Sequence, residues 1–411
     1  MPYRELRKIY YDRDTRSQYE TIYHNRIQGE STIVFDFLIK GNPAFIVLNN
    51  ELVNLLWDIS LVDKEVKNLQ NLLPNIALSQ FTFHAMVEEI KLTNDIEGVY
   101  STRKEIVSLI DIVNNAESAR NRNRLFGMVY KYSRLMQNES IRFDDCDDIR
   151  NLYNDFVLNE VKLENPDNVP DGKYFRKNPV SVYSKSDIKI HDGVFPEDQI
   201  NYSMDRALRV LNDADVNILI RTAVFHYMFG YIHPFYDGNG RMSRFISSYM
   251  LSKAMDSLVH FRLSYIIKNN ITIYYRLFKN ANDIRNRGDL TQFVMGFLNF
   301  ILLALEDLRE SINDRCNTYS DFIEPIGLLL SNTKERDVLF ILVQNALFGI
   351  RGLDFDSLLS VSKKKRSTLL KILKKLGSEM GLLRIEKEGK KFLYSVNLDA
   401  LSEKIGHASE S

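Results

Sequence analysis

"HPFYDGNGRMSR", residues 233–244, puts one histidine, one aspartate, one asparagine, two arginines and two glycines into twelve positions. It follows a stretch, residues 214–232, that is apolar nearly all round, as befits a helix at the centre of a core. Beyond it Met242, Phe245, Ile246, Tyr249 and Met250 recur at i, i+3, i+4, i+7 and i+8. That spacing predicts an amphipathic helix from about Asn239, with Arg241 and Arg244 close together on its other side. The segment reads as a tight loop between two packed helices, and it directs the fold toward a mainly α class.

A loop that ends at a helix N-terminus offers free backbone N–H groups and the positive end of the helix dipole, both of which attract anions. Gly238 and Gly240 remove side chains that would keep a phosphate away from those N–H groups. Asn239 can add an amide donor, and Arg241 and Arg244 charge-assisted contacts to further phosphates. So much phosphate charge calls for a metal cation as well, and Asp237 is a hard oxygen ligand suited to Mg²⁺. His233, with an ordinary pKa near ~6.5, can take a proton from a hydroxyl at neutral pH, so the pattern points to a transferase acting on a Mg²⁺ nucleotide. Phe235 reads as the anchor of the loop in the core. A lone Gly-x-Gly would mark only a turn; the whole set of residue types carries the reading.

Working outward, "STIVFDFLIKGNPAFIVL" (31–48) has two β-branched and aromatic runs around Gly41-Asn42-Pro43, which predicts a hairpin. Leu52, Leu55, Leu56, Ile59 and Val62 are spaced as in a helix over residues 50–73, and a further helix spans 81–93, ending near "TNDIEG". Thr93 at that end suits a helix cap. Residues 101–162 read as mostly helical, with the acidic "DDCDD" (144–148) as a solvated cap between segments. Residues 172–196, with a glycine near each end and little helical period, read as a loop or irregular hairpin. Helices then continue to about Arg315. From Lys334 the pattern is a helix over 334–346, a short helix at "FDSLLS", a basic helix from Ser362 to Leu376, and two short strands around Gly389. That outline is a winged helix-turn-helix-like domain. Residues 361–400 hold eleven Lys/Arg and four Asp/Glu, a local excess of seven positive charges (11 − 4).

The twelve residues of the loop match the Fic signature HPFx(D/E)GNGRxxR at every fixed position, so the chain resembles the Fic family. The resemblance implies a mainly α Fic core with a small β-hairpin flap, and transfer of AMP from ATP to a Ser, Thr or Tyr hydroxyl of a protein. It implies His233 as general base, Asp237 as Mg²⁺ ligand, and Gly238, Asn239 and Gly240 as the cradle of the α- and β-phosphates. Arg241 would contact the phosphates and Arg244 the γ-phosphate. "YYRLFKNANDIRNRGDLTQF" (274–293) is similar to the family segment over the adenosine, with Tyr274 and Asn282 as nucleotide-binding candidates. Residues 174–196 stand where the family has its flap, on which a protein substrate would dock by strand addition. "TNDIEG" (93–98) resembles the family's inhibitory motif (S/T)xxxE(G/N), which implies that Glu97 contacts Arg244 and misplaces ATP. A variant is that Glu97 activates water, so that the same site removes AMP from modified proteins. The Doc-type branch, a kinase, has Lys in place of Gly240. The expected domains are residues 1–100, a Fic core over 101–315, and the winged-helix-like domain over 325–405.

The 54 Lys/Arg and 54 Asp/Glu cancel, so no whole-chain pull toward nucleic acid or membrane is expected. Any such pull is local; the basic segment 362–376 is the candidate face for DNA or protein contact, with a DNA-binding regulator as the alternative function. Cys146 and Cys316 have no disulfide or metal-ligand spacing, which fits a reducing cytoplasm. The longest apolar run, residues 293–305, is shorter than the ~20 residues that span a bilayer and reads as a buried helix, so no membrane partner is expected. A homo-oligomer is left open.

Overall fold

The β-branched and aromatic run "TIVFDFLI" forms, in a computed structural model, β1 (Thr32–Ile39), whose faces alternate, with Phe35, Phe37 and Ile39 buried and Val34 and Leu38 exposed. The structure describes residues 3–114, 123–183, 189–389 and 391–409. β1 pairs antiparallel with β2 (Asn42–Val47), Ile39 opposite Asn42. The turn is Lys40-Gly41, both left-handed with φ of 50° and 81°. It therefore lies one residue before the expected Gly41-Asn42-Pro43, and Pro43 pairs with Leu38. A two-residue turn with positive φ at both positions, whose twist matches the strands, cannot contain proline.

The chain is mainly helical and divides into two units, Met1–Lys64 with Met86–Glu306, and Glu65–Ala85 with Asp307–Ser411. At the centre of the first is the helix Ile218–Ile232, eleven of whose residues are buried, so it has no solvent face. Glu197–Asn212 and Asn239–Ala254 pack against it. The second of these is not half solvated as its spacing predicts: Arg241, Ser243, Arg244, Ser247 and Ser248 are as buried as its apolar residues. Its polar side faces protein groups in place of water. The apolar run 293–305 lies in the helix Thr291–Leu329, long and apolar enough to cross a membrane, but Phe293, Val294, Phe297, Leu298 and Ile301 are buried in the core. That helix continues past the expected end near Arg315, through Pro325.

Residues 101–162 contain the helices Arg103–Asn114, Phe126–Met136, Cys146–Phe156 and Leu158–Glu164, while 115–122 lie outside the described residues. Asp145 caps Cys146–Phe156, its side chain accepting from the Asp148 N–H at 3.0 Å, so the acidic cluster is the expected cap. The flap segment holds the antiparallel pair β3 (Ser181–Tyr183) and β4 (Lys189–Asp192), with Ser181 opposite Asp192. Residues 184–188 of the flap lie outside the described residues.

In the second unit the order is helix Thr333–Phe348, β5 (Leu353–Asp354), helices Phe355–Ser362 and Arg366–Lys374, β6 (Leu383–Glu388), β7 (Lys391–Val396) and helix Leu398–Ser409. The three strands form one antiparallel sheet in the order β5–β7–β6 over a core that includes Leu339, Leu342, Leu358, Leu369 and Leu376. The basic helix begins at Arg366, not Ser362. Ser362 ends the preceding helix, and Lys363, at φ 51°, reverses the chain.

Candidate active site

The helix Ile218–Ile232 ends because His233 is left-handed, at φ 50° and ψ 63°, with its N–H still donating to the Phe229 carbonyl at 2.9 Å. A non-glycine residue in that region is strained unless its surroundings hold it. Two features do so. Phe235 is fully buried, stacked on Tyr153 with ring centroids 3.8 Å apart and edge-on to Phe175. Arg176, also fully buried, donates from Nε to the His233 carbonyl at 2.9 Å, and from its two terminal nitrogens to Asn178 and Val194 carbonyls, each at 2.7 Å. One guanidinium thus ties the loop to both ends of the flap.

The loop closes on itself through Asn239, whose Nδ2 donates to the Phe235 carbonyl at 2.8 Å and whose Oδ1 accepts from the Phe235 N–H at 2.9 Å. Its side-chain amide, expected to meet phosphate, is spent on the backbone. What faces outward is the helix N-terminus: the N–H groups of Asn239, Gly240 and Arg241 have no recorded acceptor among the described residues. Gly238 has φ 82°, and a Cβ on it would press on Val157 and Tyr153. Gly240 is needed for another reason, since a Cβ there would collide with Oε1 of Glu97. The space that glycine opens at the anion nest is taken by a carboxylate of this same chain.

That carboxylate comes from the end of the helix Asn75–Glu97, which starts earlier than 81 and runs through the whole of "TNDIE". Gly98, at φ 78°, ends it in a Schellman motif, the Val99 N–H donating to Asn94 O at 3.0 Å and the Gly98 N–H to Asp95 O at 3.3 Å. Thr93 therefore caps nothing; it is buried inside the helix, four residues before its end, and its Oγ1 accepts from Arg244 Nε at 2.8 Å. Arg244 Nη2 donates to the Thr93 carbonyl at 3.0 Å and to Glu97 Oε1 at 2.8 Å. Burial would raise the Glu97 carboxyl pKa, but the charge and hydrogen bond of Arg244, with Arg241 and His233 adding to them, hold it below the ordinary value.

Arg241, three residues before Arg244, is fully buried in a pair with Glu160, and its Nη2 donates to Asp237 Oδ1 at 3.2 Å. It does not line the cavity. Asp237 does, with its side chain 40% exposed and Oδ1 held by Arg241 and the Gly238 N–H. Its other oxygen has no partner among the described residues, which fits a single hard ligand for Mg²⁺. No group of three or more His, Cys, Asp or Glu side chains that could hold a metal ion occurs among the described residues.

The cavity, of about 250 Å³, is lined by Glu97, His233, Asp237, Gly238, Asn239, Gly240, Arg244 and Tyr274, together with His191, Tyr236 and Tyr275. Burial, followed by the positive influence of His191 and Arg176, lowers the His233 pKa to about 3, so the ring is a neutral acceptor at physiological pH. Tyr274 is held by His226, whose Nε2 lies 2.8 Å from the Tyr274 hydroxyl and whose Nδ1 lies 2.9 Å from Ser247 Oγ. Asn282 is not brought to the cavity; its Oδ1 accepts from Tyr227 at 2.6 Å. Three residues at or near the site carry no motif signal: Arg176, Glu160 and His191. Alternation in "KIHD" gives a weak hint for His191, and nothing local in the sequence points to the other two.

Residues 144–251 match the family model described as Fic/DOC family. Protein adenylyltransferase Fic of Drosophila erecta is 28% identical over 273 residues, 62% of this chain and 50% of that protein. The chain thus spans about half the length of the curated relative it matches. Among solved structures it is similar to a Fic family protein from Desulfovibrio desulfuricans G20, at 19% identity and TM-score 0.49, covering 85% of this chain and 97% of that one. Fic-1 (aa134–508) from C. elegans is similar at 17% identity and TM-score 0.43, covering 65% of this chain and 74% of that one.

Proposed function

Taking residues 144–251 as a Fic/DOC family domain, we propose that the chain is a protein adenylyltransferase that moves AMP from ATP to a Ser, Thr or Tyr hydroxyl of a target protein. The observation that carries the reading is one cavity in which a neutral imidazole, an unpaired carboxylate oxygen and a glycine-lined helix N-terminus converge. In the reaction the target hydroxyl oxygen attacks the α-phosphorus, the bond from that phosphorus to the bridging oxygen of pyrophosphate breaks, and the hydroxyl proton passes to a ring nitrogen of His233. The N–H groups of Asn239 and Gly240 hold phosphate oxygens in place, at the positive end of the helix. Asp237 would hold Mg²⁺, which would neutralise phosphate charge. The β3–β4 flap would present its edge to an extended segment of the target.

Glu97 makes this enzyme autoinhibited in our reading. Its carboxylate fills the space above Gly240 and occupies Arg244, so the phosphates cannot be seated for in-line attack while it is there. Two free cysteines, Cys146 and Cys316, favour a reducing compartment such as the cytoplasm.

The test is intact-mass spectrometry of Glu97→Gly and of the parent protein after incubation with ATP and Mg²⁺, alongside α- and γ-labelled ATP in lysate. The variant should gain adenylyl groups or label target proteins from the α position, and the parent should do so far more slowly. Transfer of the γ label would make the enzyme a kinase, and no transfer from either position by the variant would remove the proposal.

A further inference from the structure

The C-terminal module has a charged face that the catalytic reading leaves unused. Between residues 361 and 378 the chain has seven Lys/Arg and no Asp/Glu. The structure neutralises two of the seven, Lys364 against Asp337 and Lys375 against Glu335, both at 2.7 Å. Lys363, Lys365, Arg366, Lys371 and Lys374 are exposed and have no ion-pair partner among the described residues. They are not scattered. On the helix Arg366–Lys374, positions 366, 367, 370, 371 and 374 share one exposed face, while Leu369, Ile372 and Leu373 pack into the core on the other. Lys363 and Lys365 stand in the turn that leads into that face.

The scaffold matters as much as the charge. Helix, short strand, two helices joined by a three-residue turn, and a two-stranded hairpin pairing back onto the short strand is the connectivity of a winged helix-turn-helix. In that arrangement the second helix of the turn enters a major groove, and here it is the basic one. The hairpin adds a second contact element. Cross-strand partners Lys387 and Phe392 share one of its faces with Ile385, and all three are exposed. Leu370, 49% exposed in the middle of the basic face, suits an apolar contact such as a thymine methyl.

We propose that this module binds duplex DNA, with the helix Arg366–Lys374 in the major groove and the β6–β7 hairpin against the neighbouring backbone. The inference is independent of the AMP-transfer reading. Five cations with no ion-pair partner among the described residues, Arg366 among them lying over the Phe355 ring at 4.8 Å, match a polyanion of regular phosphate spacing better than an apolar protein groove, for which this face offers only Leu370.

The experiment uses the full chain and a fluorescent mixed-sequence duplex of about 30 base pairs, with anisotropy followed from about 50 to 200 mM salt. Expected is binding whose log K falls against log salt with a slope of about −4 to −5, one phosphate per unpaired cation. Lys365→Gln/Lys371→Gln/Lys374→Gln, on the exposed face and checked by thermal melting, should shed about 3 from that slope while leaving ATP-dependent labelling unchanged. Absence of binding at the lowest salt overturns the proposal. So does a slope that the triple variant does not change, and so does binding to phosphatidylserine vesicles without binding to the duplex.

Discussion

Arg241 and Arg244 stand one turn apart on the same helix, are almost completely enclosed, and each holds a carboxylate, yet the two carboxylates live in different worlds. Glu160 is 3% exposed in its side chain, and burial outweighs Arg241 so that its carboxyl pKa is raised. Glu97 is 29% exposed in its side chain, lines the cavity, and has its pKa lowered. The first pair is closed to solvent, and breaking it would leave the buried Arg241 with only its longer, 3.2 Å contact to Asp237. The second opens onto the place where a triphosphate would sit, so a phosphate can replace the carboxylate on Arg244 without exposing the core. An arginine locked into the scaffold and one whose partner faces the cavity are thus told apart by the solvent access of the partner, not by their own burial.

The comparison breaks or holds first on stability. Glu160→Gln should cost about 3 to 5 kcal/mol, as removal of one partner of a buried pair does. Glu97→Gln should cost less than about 1 kcal/mol, because its pair is partly solvated and Arg244 keeps both bonds to Thr93. Thermal melts of the two variants side by side decide it; equal losses would mean that Glu97 is scaffold as well.

Arg176 sharpens the contrast, being a third enclosed arginine whose recorded partners are carbonyls and not a carboxylate. Its charge is one of the influences that lower the His233 pKa, after burial and His191. Removing it by Arg176→Gln should let that pKa rise. Because His233 must be unprotonated to accept a proton, the acid limb of kcat/KM in the Glu97→Gly background should move to higher pH by the same amount. Arg176→Lys keeps the charge without the fork, so the rate should fall while the limb stays. A limb that Arg176→Gln leaves in place would limit Arg176 to holding the backbone. Titration of labelled histidine by NMR reads the same shift without relying on catalysis.

Much of the site was legible because its chemistry is contiguous: His233, Asp237, Gly238, Gly240 and Arg244 occupy twelve residues, and their order alone states a loop entering a helix. Glu97 was legible from the "EG" that ends its motif. The charges that hold the site came from far away in sequence. Arg176 and Glu160 lie 57 and 81 residues from the backbone and side chain they bond, inside segments with no pattern of their own. Periodicity also misplaced the polar side of Asn239–Ala254, because apolar spacing cannot distinguish water from buried partners. The start of the basic helix moved to Arg366 since a run of lysines carries no stop signal, and only the left-handed Lys363 marks the turn.

Gly98 offers the smallest and most local test of the switch. Its φ of 78° lets the Schellman motif end the helix one residue after Glu97, and a Cβ there would touch nothing within 4 Å. Gly98→Ala should therefore cost about 1 kcal/mol through backbone conformation alone. A frayed end would loosen Glu97 from Arg244, so basal transfer should rise a few-fold, far less than in Glu97→Gly. Asparagine tolerates the left-handed region, and Gly98→Asn should restore most of the inhibition. If Ala and Asn release the enzyme equally, the glycine is there for some reason other than its φ, and the helix end is not what aims the carboxylate at Arg244.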